Sequence, residues 1–429
     1  MSPVFVSASS GCQTSQGSIY PRGVGHIERS AAMGDHTRIV VIGASLAGIR
    51  AVQTLRSEGY AGELSLVGAE PHLPYNRPPL SKNVLTGDDD VALPGGDQFD
   101  ATWLGGRRAV RLDATDRAVV LDDGSELAYD GLVIATGARP RRLPEDQMAL
   151  TGVHVLRTID DAKALRTALA HKPQKVVVIG GGFIGGEVAS AVRARGMDVT
   201  LIESGPLPMI GVVGREVADW LAEHHRRNGV DLVTGVRANR LEGGPDGRIA
   251  AVHLSDGRSI PADLVIAGLG VEPNTEWLDG SGVQIQDGVL TDDKLFALGF
   301  PDVVAAGDVA RWPHRLFGDE PVRVEHWANA NGQGALAARN LLRGPSGAEP
   351  FVEVAGLGTR VHGKRVQWAG FPSLADQSTI VAGSVEESKF AVAFSRDGVL
   401  VGAATVNYPK ELNRLRGIIA AGADQPTPA

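Results

Sequence analysis

The 429-residue sequence contains a single cysteine, Cys12. One thiol excludes an internal disulfide framework, a Cys-x-x-Cys redox pair and a thiolate zinc site. Any redox chemistry must then be carried by a bound cofactor. Aromatic residues are scarce, at 5%. No uncharged apolar run approaches the ~18 residues of a membrane span. An excess of basic charge is also missing. The 42 basic and 50 acidic residues give −8, which argues against nucleic-acid binding through a basic surface. The opening MSPVFVSASSGCQTSQ has no early Lys or Arg and no sustained apolar stretch. It does not read as a signal peptide, and the chain is expected in the cytoplasm. Glycine, by contrast, is abundant: 55 residues, with no collagen-like period. A chain this long is expected to hold about two to four domains.

The sequence carries its own pattern twice. RIVVIGASLAG begins at Arg38 and KVVVIGGGFIGGE at Lys175. Each is an apolar run of strand length that ends in glycines and enters a helix-like stretch. Each is followed by a second apolar run ending in an acid, Glu70 or Glu203, and later by an Asp-Gly turn between apolar runs. Glu70 to Glu203, Gly124 to Gly257, Asp130 to Asp263 and Gly137 to Gly270 are all 133 residues apart. The glycine turns, Gly43 and Gly180, are 137 apart, which implies a four-residue length change in the helix or its loops. One register shared by so many landmarks implies two copies of one fold.

The second turn, Gly180-Gly181-Gly182-Phe183-Ile184-Gly185, is G-x-G-x-x-G between a strand and a helix. In such a turn Gly180 allows the tight bend, Gly182 lets backbone approach a pyrophosphate, and Gly185 lets helix and strand pack closely. The phosphates would sit on the helix N-terminus. Glu203 ends the next strand, where a carboxylate accepts from the ribose hydroxyls and repels a 2′-phosphate, favouring NADH. The first turn is Gly43-Ala44-Ser45-Leu46-Ala47-Gly48, with Ser45 at the middle-glycine position and Glu70 placed for a ribose. The Ser45 hydroxyl is expected to reach a phosphate. Two dinucleotide sites on one chain without a redox cysteine point to electron traffic between a nicotinamide and a flavin.

Several segments carry a family resemblance: GASLAG, LVGAEPHLPYNRPPLSK, VIATGARPR, VLRTIDDA, VVVIGGGFIGGE, GLGVEPNT, VAAGDVA and VEHWANANGQG. Over about Thr37–Gly422 the chain resembles the NADH-dependent ferredoxin reductases of bacterial oxygenase systems, the putidaredoxin-reductase type. These are FAD-dependent pyridine-nucleotide oxidoreductases. The resemblance implies an α/β, glutathione-reductase-like fold with two Rossmann-type domains and a C-terminal α+β domain. It places the FAD domain at 37–141 and 269–346, the NAD domain at 142–268 and the third domain at 347–422. Residues 1–36 would be a disordered extension, with Met33 a candidate start, and 423–429 a disordered tail.

The resemblance also assigns roles. Arg77, Pro78, Pro79 and Lys82 would lie along FAD, with Lys82 polarising the isoalloxazine. Ala47 and Ala109 would meet its phosphate and adenine regions through backbone. Thr136, Gly137, Arg157, Gly307, Asp308, Glu325, His326 and Trp327 would complete the FAD site. Asp308 would hold the ribityl chain and Trp327 the pyrimidine side. Glu187 would lie near the nicotinamide, and Gly270 would border the NAD site. The implied reaction passes hydride from NADH to FAD, and single electrons onward to a [2Fe–2S] ferredoxin. Residues 351–420 hold eight basic and six acidic side chains. With Arg311, Arg315, Arg339 and Arg343, that domain is expected to present a basic docking face. The pattern departs at Gly358, where relatives carry Trp, at Arg360, where they carry an acid, and at Gly211, where an arginine is common. An open flavin edge, or another acceptor such as oxygen, quinone, rubredoxin or monodehydroascorbate, stays an alternative, as does a non-enzymatic NADH sensor. The sequence leaves the oligomeric state open.

Overall fold

The computed structural model describes residues 36–87, 90–318 and 320–422. Cys12, Met33, residues 1–35 of the expected extension 1–36, and the tail 423–429 lie outside the described residues. In chain order the first unit has β1 (Arg38–Ile42), α1 (Leu46–Ser57), β2 (Glu63–Gly68), β3 (Thr102–Gly105) and β4 (Gly131–Ile134). The second has β5 (Val153–His154), α2 (Ile159–Ala170), β6 (Val176–Ile179), α3 (Phe183–Ala194), β7 (Val199–Glu203), α4 (Ile210–Arg227), β8 (Val230–Thr234) and β9 (Leu264–Ala267). The chain returns through β10 (Val303–Ala305) and α5 (Trp327–Gly347). It ends in β11 (Gly356–Val361), β12 (Lys364–Gly370), β13 (Gln377–Ser384), β14 (Lys389–Arg396), β15 (Val399–Val406) and α6 (Pro409–Ala421).

The apolar runs RIVVI and VVVI become the central parallel strands β1 and β6, buried along almost their whole length. β-branched side chains suit a sheet covered on both faces. The two sheets have orders β10-β4-β1-β2-β3 and β5-β9-β6-β7-β8. They are the same arrangement, except that the fifth strand comes last in one unit and first in the other. Each unit also carries a three-stranded antiparallel sheet, Ala109–Ala128 in the first and Ala238–Pro261 in the second. The Asp-Gly turns make the second hairpin of each, with Gly124 at φ +82 and Gly257 at φ +86. The two units are thus copies of one fold.

The length difference between the copies does not lie in the helices, since α1 and α3 both have 12 residues. Ile42 pairs with Val67, and the equivalent Ile179 pairs with Ile202. That register aligns Glu203 with Gly68, so two of the extra residues precede β2 and two follow it. Glu70 therefore stands two positions past the strand end, whereas Glu203 closes its strand.

Two short strands join the units. Ala138–Pro140 pairs antiparallel with Val271–Pro273, so the outgoing and returning chains run side by side. The last five strands form one antiparallel sheet, β11-β12-β15-β14-β13. One face packs Leu412, Leu415 and Ile419 of α6. The other packs Trp368, Phe390 and Phe394 against Val213, Val217 and Trp220 of α4. Among the described residues no helix is long and apolar enough to cross a membrane.

Candidate functional site

Both glycine turns are forced by backbone contact. A Cβ on Gly43 would sit 2.1 Å from the Ala135 carbonyl oxygen, and one on Gly180 2.1 Å from that of Gly268. A Cβ on Gly48 would fall 1.8 Å from the Gly43 carbonyl oxygen, and one on Gly185 1.8 Å from that of Gly180. A Cβ on Gly182 would meet nothing within 4 Å, which leaves backbone facing open space at the N-terminus of α3.

The first turn opens onto a cavity of about 700 Å³, within the ~300–1,000 Å³ usual for cofactor sites. Gly43, Ser45, Glu70, Arg77, Ala109, Thr136, Gly137 and Arg157 line it, together with Arg108, Arg139 and Arg142. A glycine cradle ringed by guanidinium groups fits a pyrophosphate. Arg77 organises one wall. It donates to Glu70 (2.6 Å), Ser45 Oγ (3.2 Å), the Tyr75 hydroxyl (3.1 Å) and the Arg157 carbonyl (2.8 Å). Ser45 is therefore held by Arg77, a partner the sequence did not suggest. The Tyr75 hydroxyl accepts from Arg77 and from the Ile159 N–H (3.0 Å), so its only proton goes to Glu70 Oε2 (2.5 Å). Burial pushes that phenol well above its usual pKa.

Leu46, Ala47, Gly48, Pro78, Lys82, Gly307, Asp308, Glu325, His326 and Trp327 lie outside that cavity's lining. Asp308 is nevertheless tied to the lining residue Arg157 at 2.9 Å. The Gly307 N–H donates to Gln333 Oε1 (2.9 Å), and the Gln333 Nε2 is buried without a partner. Arg323, missed in the sequence, donates to the Asp308 carbonyl (3.1 Å), Glu325 (2.7 Å) and Asp287 (3.2 Å). His326 occupies the N-cap position of α5 without a side-chain capping bond and meets Trp368 edge-on at 5.2 Å, with its Nδ1 buried and unpaired. Burial lowers its pKa to about 4, so the ring is neutral. Trp327 is 39% exposed and donates through Nε1 to Asn76 (3.0 Å). These orphaned polar atoms and the cradle together fit a large polar cofactor.

The second turn opens onto a cleft of about 360 Å³ lined by Gly180, Gly182, Glu203 and Arg237. Glu203 accepts from the Gly181 (2.8 Å) and Gly205 (2.6 Å) N–H groups, which fixes it at the strand end facing the turn. Phe183, Ile184, Gly185, Glu187 and Gly270 do not line the cleft. Phe183 stacks on Trp368, with centroids 4.5 Å apart and planes 7° apart. Glu187 is only 5% exposed and pairs with Lys82 at 2.7 Å. It also accepts from the hydroxyls of Ser81 and Thr359. Lys82 donates a further bond to the Pro78 carbonyl (3.0 Å).

One expectation needs correction. Arg339 and Arg343 are not free members of a basic face. Arg339 pairs with Glu58 (2.9 Å) and Arg343 with Glu349 (2.7 Å). Arg315 holds the Ile419 carbonyl at the end of α6, and Arg311 holds those of Pro321 and Gln286. Gly358 is exposed on β11. It pairs with Gln367 across β11 and β12, and a Cβ there would lie 2.9 Å from the Gln367 Cγ. A Cβ at Gly211 would meet nothing within 4 Å.

The sequence profile of the pyridine nucleotide-disulphide oxidoreductases matches residues 37–334, and that of the reductase C-terminal domain matches 360–429. The chain is 38% identical over 384 residues to the ferredoxin–NAD(+) reductase component of the p-cumate 2,3-dioxygenase system of Pseudomonas putida, covering 88% of this chain and 92% of the relative. It is 35% identical over 386 residues to the corresponding component of the biphenyl dioxygenase system of Paraburkholderia xenovorans, covering 87% and 91%. Among solved structures, the covalent putidaredoxin reductase–putidaredoxin complex superposes with a TM-score of 0.84 at 32% identity, covering 90% of this chain and 93% of that one.

Proposed function

This chain belongs to the pyridine nucleotide-disulphide oxidoreductases, FAD-binding enzymes that draw on NAD(P)H, and on that footing we propose that it oxidises NADH and reduces a [2Fe–2S] ferredoxin serving an oxygenase. The observation that carries this reading is a pair of equivalent glycine-turn clefts on a chain with one cysteine. Electrons cannot leave through a dithiol, as they would in a disulphide reductase. The relatives named as ferredoxin reductase components supply the acceptor class. A cytoplasmic location is part of the proposal, supported by the need for a pool of NADH.

FAD, when bound, supplies the conversion of a two-electron hydride donor into single-electron steps. The chain's own residues bind and orient. Gly43, Gly48 and the N-terminus of α1 cradle the FAD pyrophosphate, with Arg77 and its neighbours balancing the charge. Glu70, steadied by Tyr75 and Arg77, accepts from the adenosine ribose. Asp308, held by Arg157, accepts from the ribityl chain. Gly180, Gly182 and Gly185 admit the NADH pyrophosphate. Glu203 accepts from the ribose hydroxyls and disfavours a 2′-phosphate. Lys82, anchored on Glu187 and the Pro78 carbonyl, keeps a fixed positive charge beside the flavin, where it favours arriving negative charge.

Cytochrome c reduction by the purified protein and NADH, with and without a [2Fe–2S] ferredoxin, tests the proposal. A large ferredoxin-dependent rate is expected. Flavin bleaching by NADH with no ferredoxin-dependent rate would assign another acceptor. Failure of NADH to bleach the flavin would overturn the reading entirely.

A further inference from the structure

All three parts of the chain meet at the Glu187 side chain. It lies on α3 of the second unit, buried to 5% exposure. Ser81 and Lys82 reach its Oε2 from the first unit. Its Oε1 accepts from the hydroxyl of Thr359, on β11 of the C-terminal sheet. Thr359 is itself 3% exposed. One turn further along α3, Ser190 Oγ accepts from the His362 N–H at 2.8 Å, so β11 and its turn are registered on the helix at two points. A Cβ at Gly186 would make ordinary contacts with the His225 ring at 3.5 Å and Val361 at 3.8 Å, so the helix and β11 are packed closely here.

From this juxtaposition we propose that Thr359 is a positioning residue of the redox centre. A buried carboxylate must have its oxygens hydrogen-bonded. Ser81 and Lys82 satisfy one oxygen only. Thr359 satisfies the other, fixes the carboxylate plane, and so fixes where Lys82 carries its charge. The C-terminal domain thereby completes the charge pair beside the flavin, through a residue that touches neither nucleotide cleft. This rests on the proposed reading of Lys82 as the flavin's neighbour.

Thr359→Val keeps the shape and removes the donor, and Thr359→Ser restores the donor without the methyl. The groups facing Glu187 are Lys82, Ser81 and Thr359. Other titratable rings packed against this stretch of α3 are His225, against Gly186, and His362, which bonds His225 and whose N–H donates to Ser190. In Thr359→Val the rate of flavin reduction at saturating NADH should fall about tenfold, and the visible absorption of the bound flavin should shift. In Thr359→Ser both should return to the parent values. Urea unfolding of the FAD-loaded protein gives a readout independent of turnover. Thr359→Val should be less stable than the parent by a lost hydrogen bond to a charged group, and Thr359→Ser close to the parent. An unmoved flavin spectrum, an unchanged rate of flavin reduction, or failure of the serine variant to restore them would each overturn the proposal. Reduction of the parent's flavin by NADH tests the underlying reading separately.

Discussion

Tyr75→Phe removes one oxygen from the wall of the larger cavity and nothing else. The hydroxyl gives its proton to Glu70 and accepts from Arg77 and Ile159. A hydrogen bond to a charged group contributes about 1.5–3 kcal/mol. Glu70 is 25% exposed, so water recovers part of that and the lower end applies. The Ile159 N–H, in the first turn of α2, loses its acceptor at a further cost below about 1 kcal/mol. A total near 2 kcal/mol, expressed mostly in cofactor binding, weakens the FAD dissociation constant about thirtyfold. Fluorescence titration of deflavinated protein with FAD reads it directly. A smaller drop in melting temperature, from the α2 terminus, should accompany it. If FAD affinity stays within about twofold of the parent, Tyr75 does not steady the ribose carboxylate and Glu70 does not depend on it.

Three further outcomes follow from the geometry. Gly185→Ala places a methyl 1.8 Å from the Gly180 carbonyl oxygen, a backbone atom that cannot step aside. It should lower stability by about 2–3 kcal/mol and weaken NADH binding, as denaturant melts and NADH titration would show. His225 and His362, hydrogen-bonded at 3.1 Å, have pKa values lowered by burial to about 3 and about 4. In the unfolded chain they bind protons below about pH 6.5, while the folded protein keeps them neutral. Stability should therefore fall as pH drops from about 6.5 towards 4, by up to ~1.4 kcal/mol per unit for each histidine. His225→Gln should flatten that slope in pH-dependent urea melts. Arg311→Glu should raise the ferredoxin Michaelis constant about tenfold at low ionic strength and less at about 0.5 M salt. Arg339→Glu and Arg343→Glu should do far less, because Glu58 and Glu349 already neutralise those charges. Equal effects of all three would restore a shared basic face.

The duplicated fold was legible because its determinants are local. Apolar runs, tight glycines and Asp-Gly turns repeat in one register, and each dictates its own strand, bend or hairpin. The same register misaligned Glu70 with Glu203, because equal spacing between acids concealed two residues gained before β2 and two after it. Only the strand pairing separates those insertions. Charge was read poorly for a related reason. Four arginines close in sequence suggested a surface patch, yet their partners sit at Glu58, Glu349 and the carbonyls of Gln286, Pro321 and Ile419. Thr359 carried no signal at all. An isolated threonine beside a missing tryptophan acquires meaning only when folding brings it to a carboxylate 172 positions away. Tyr75 and Gln333 were closer to reach, since both lie inside segments quoted for the resemblance.

The paired strands at 138–140 and 271–273 bear on how such a protein can be remodelled. Entry and exit of the intervening 130 residues occur side by side, with Arg139 clasping Glu272 across the ladder at 2.9 Å. A segment whose two ends already touch imposes almost no closure cost on its host. It can be exchanged for another module with adjacent termini while the host sheet keeps all five strands. On the proposed reading the nicotinamide preference would travel with that segment, while the flavin cavity, which Arg142 and Arg157 of the segment also line, would be shared with the frame.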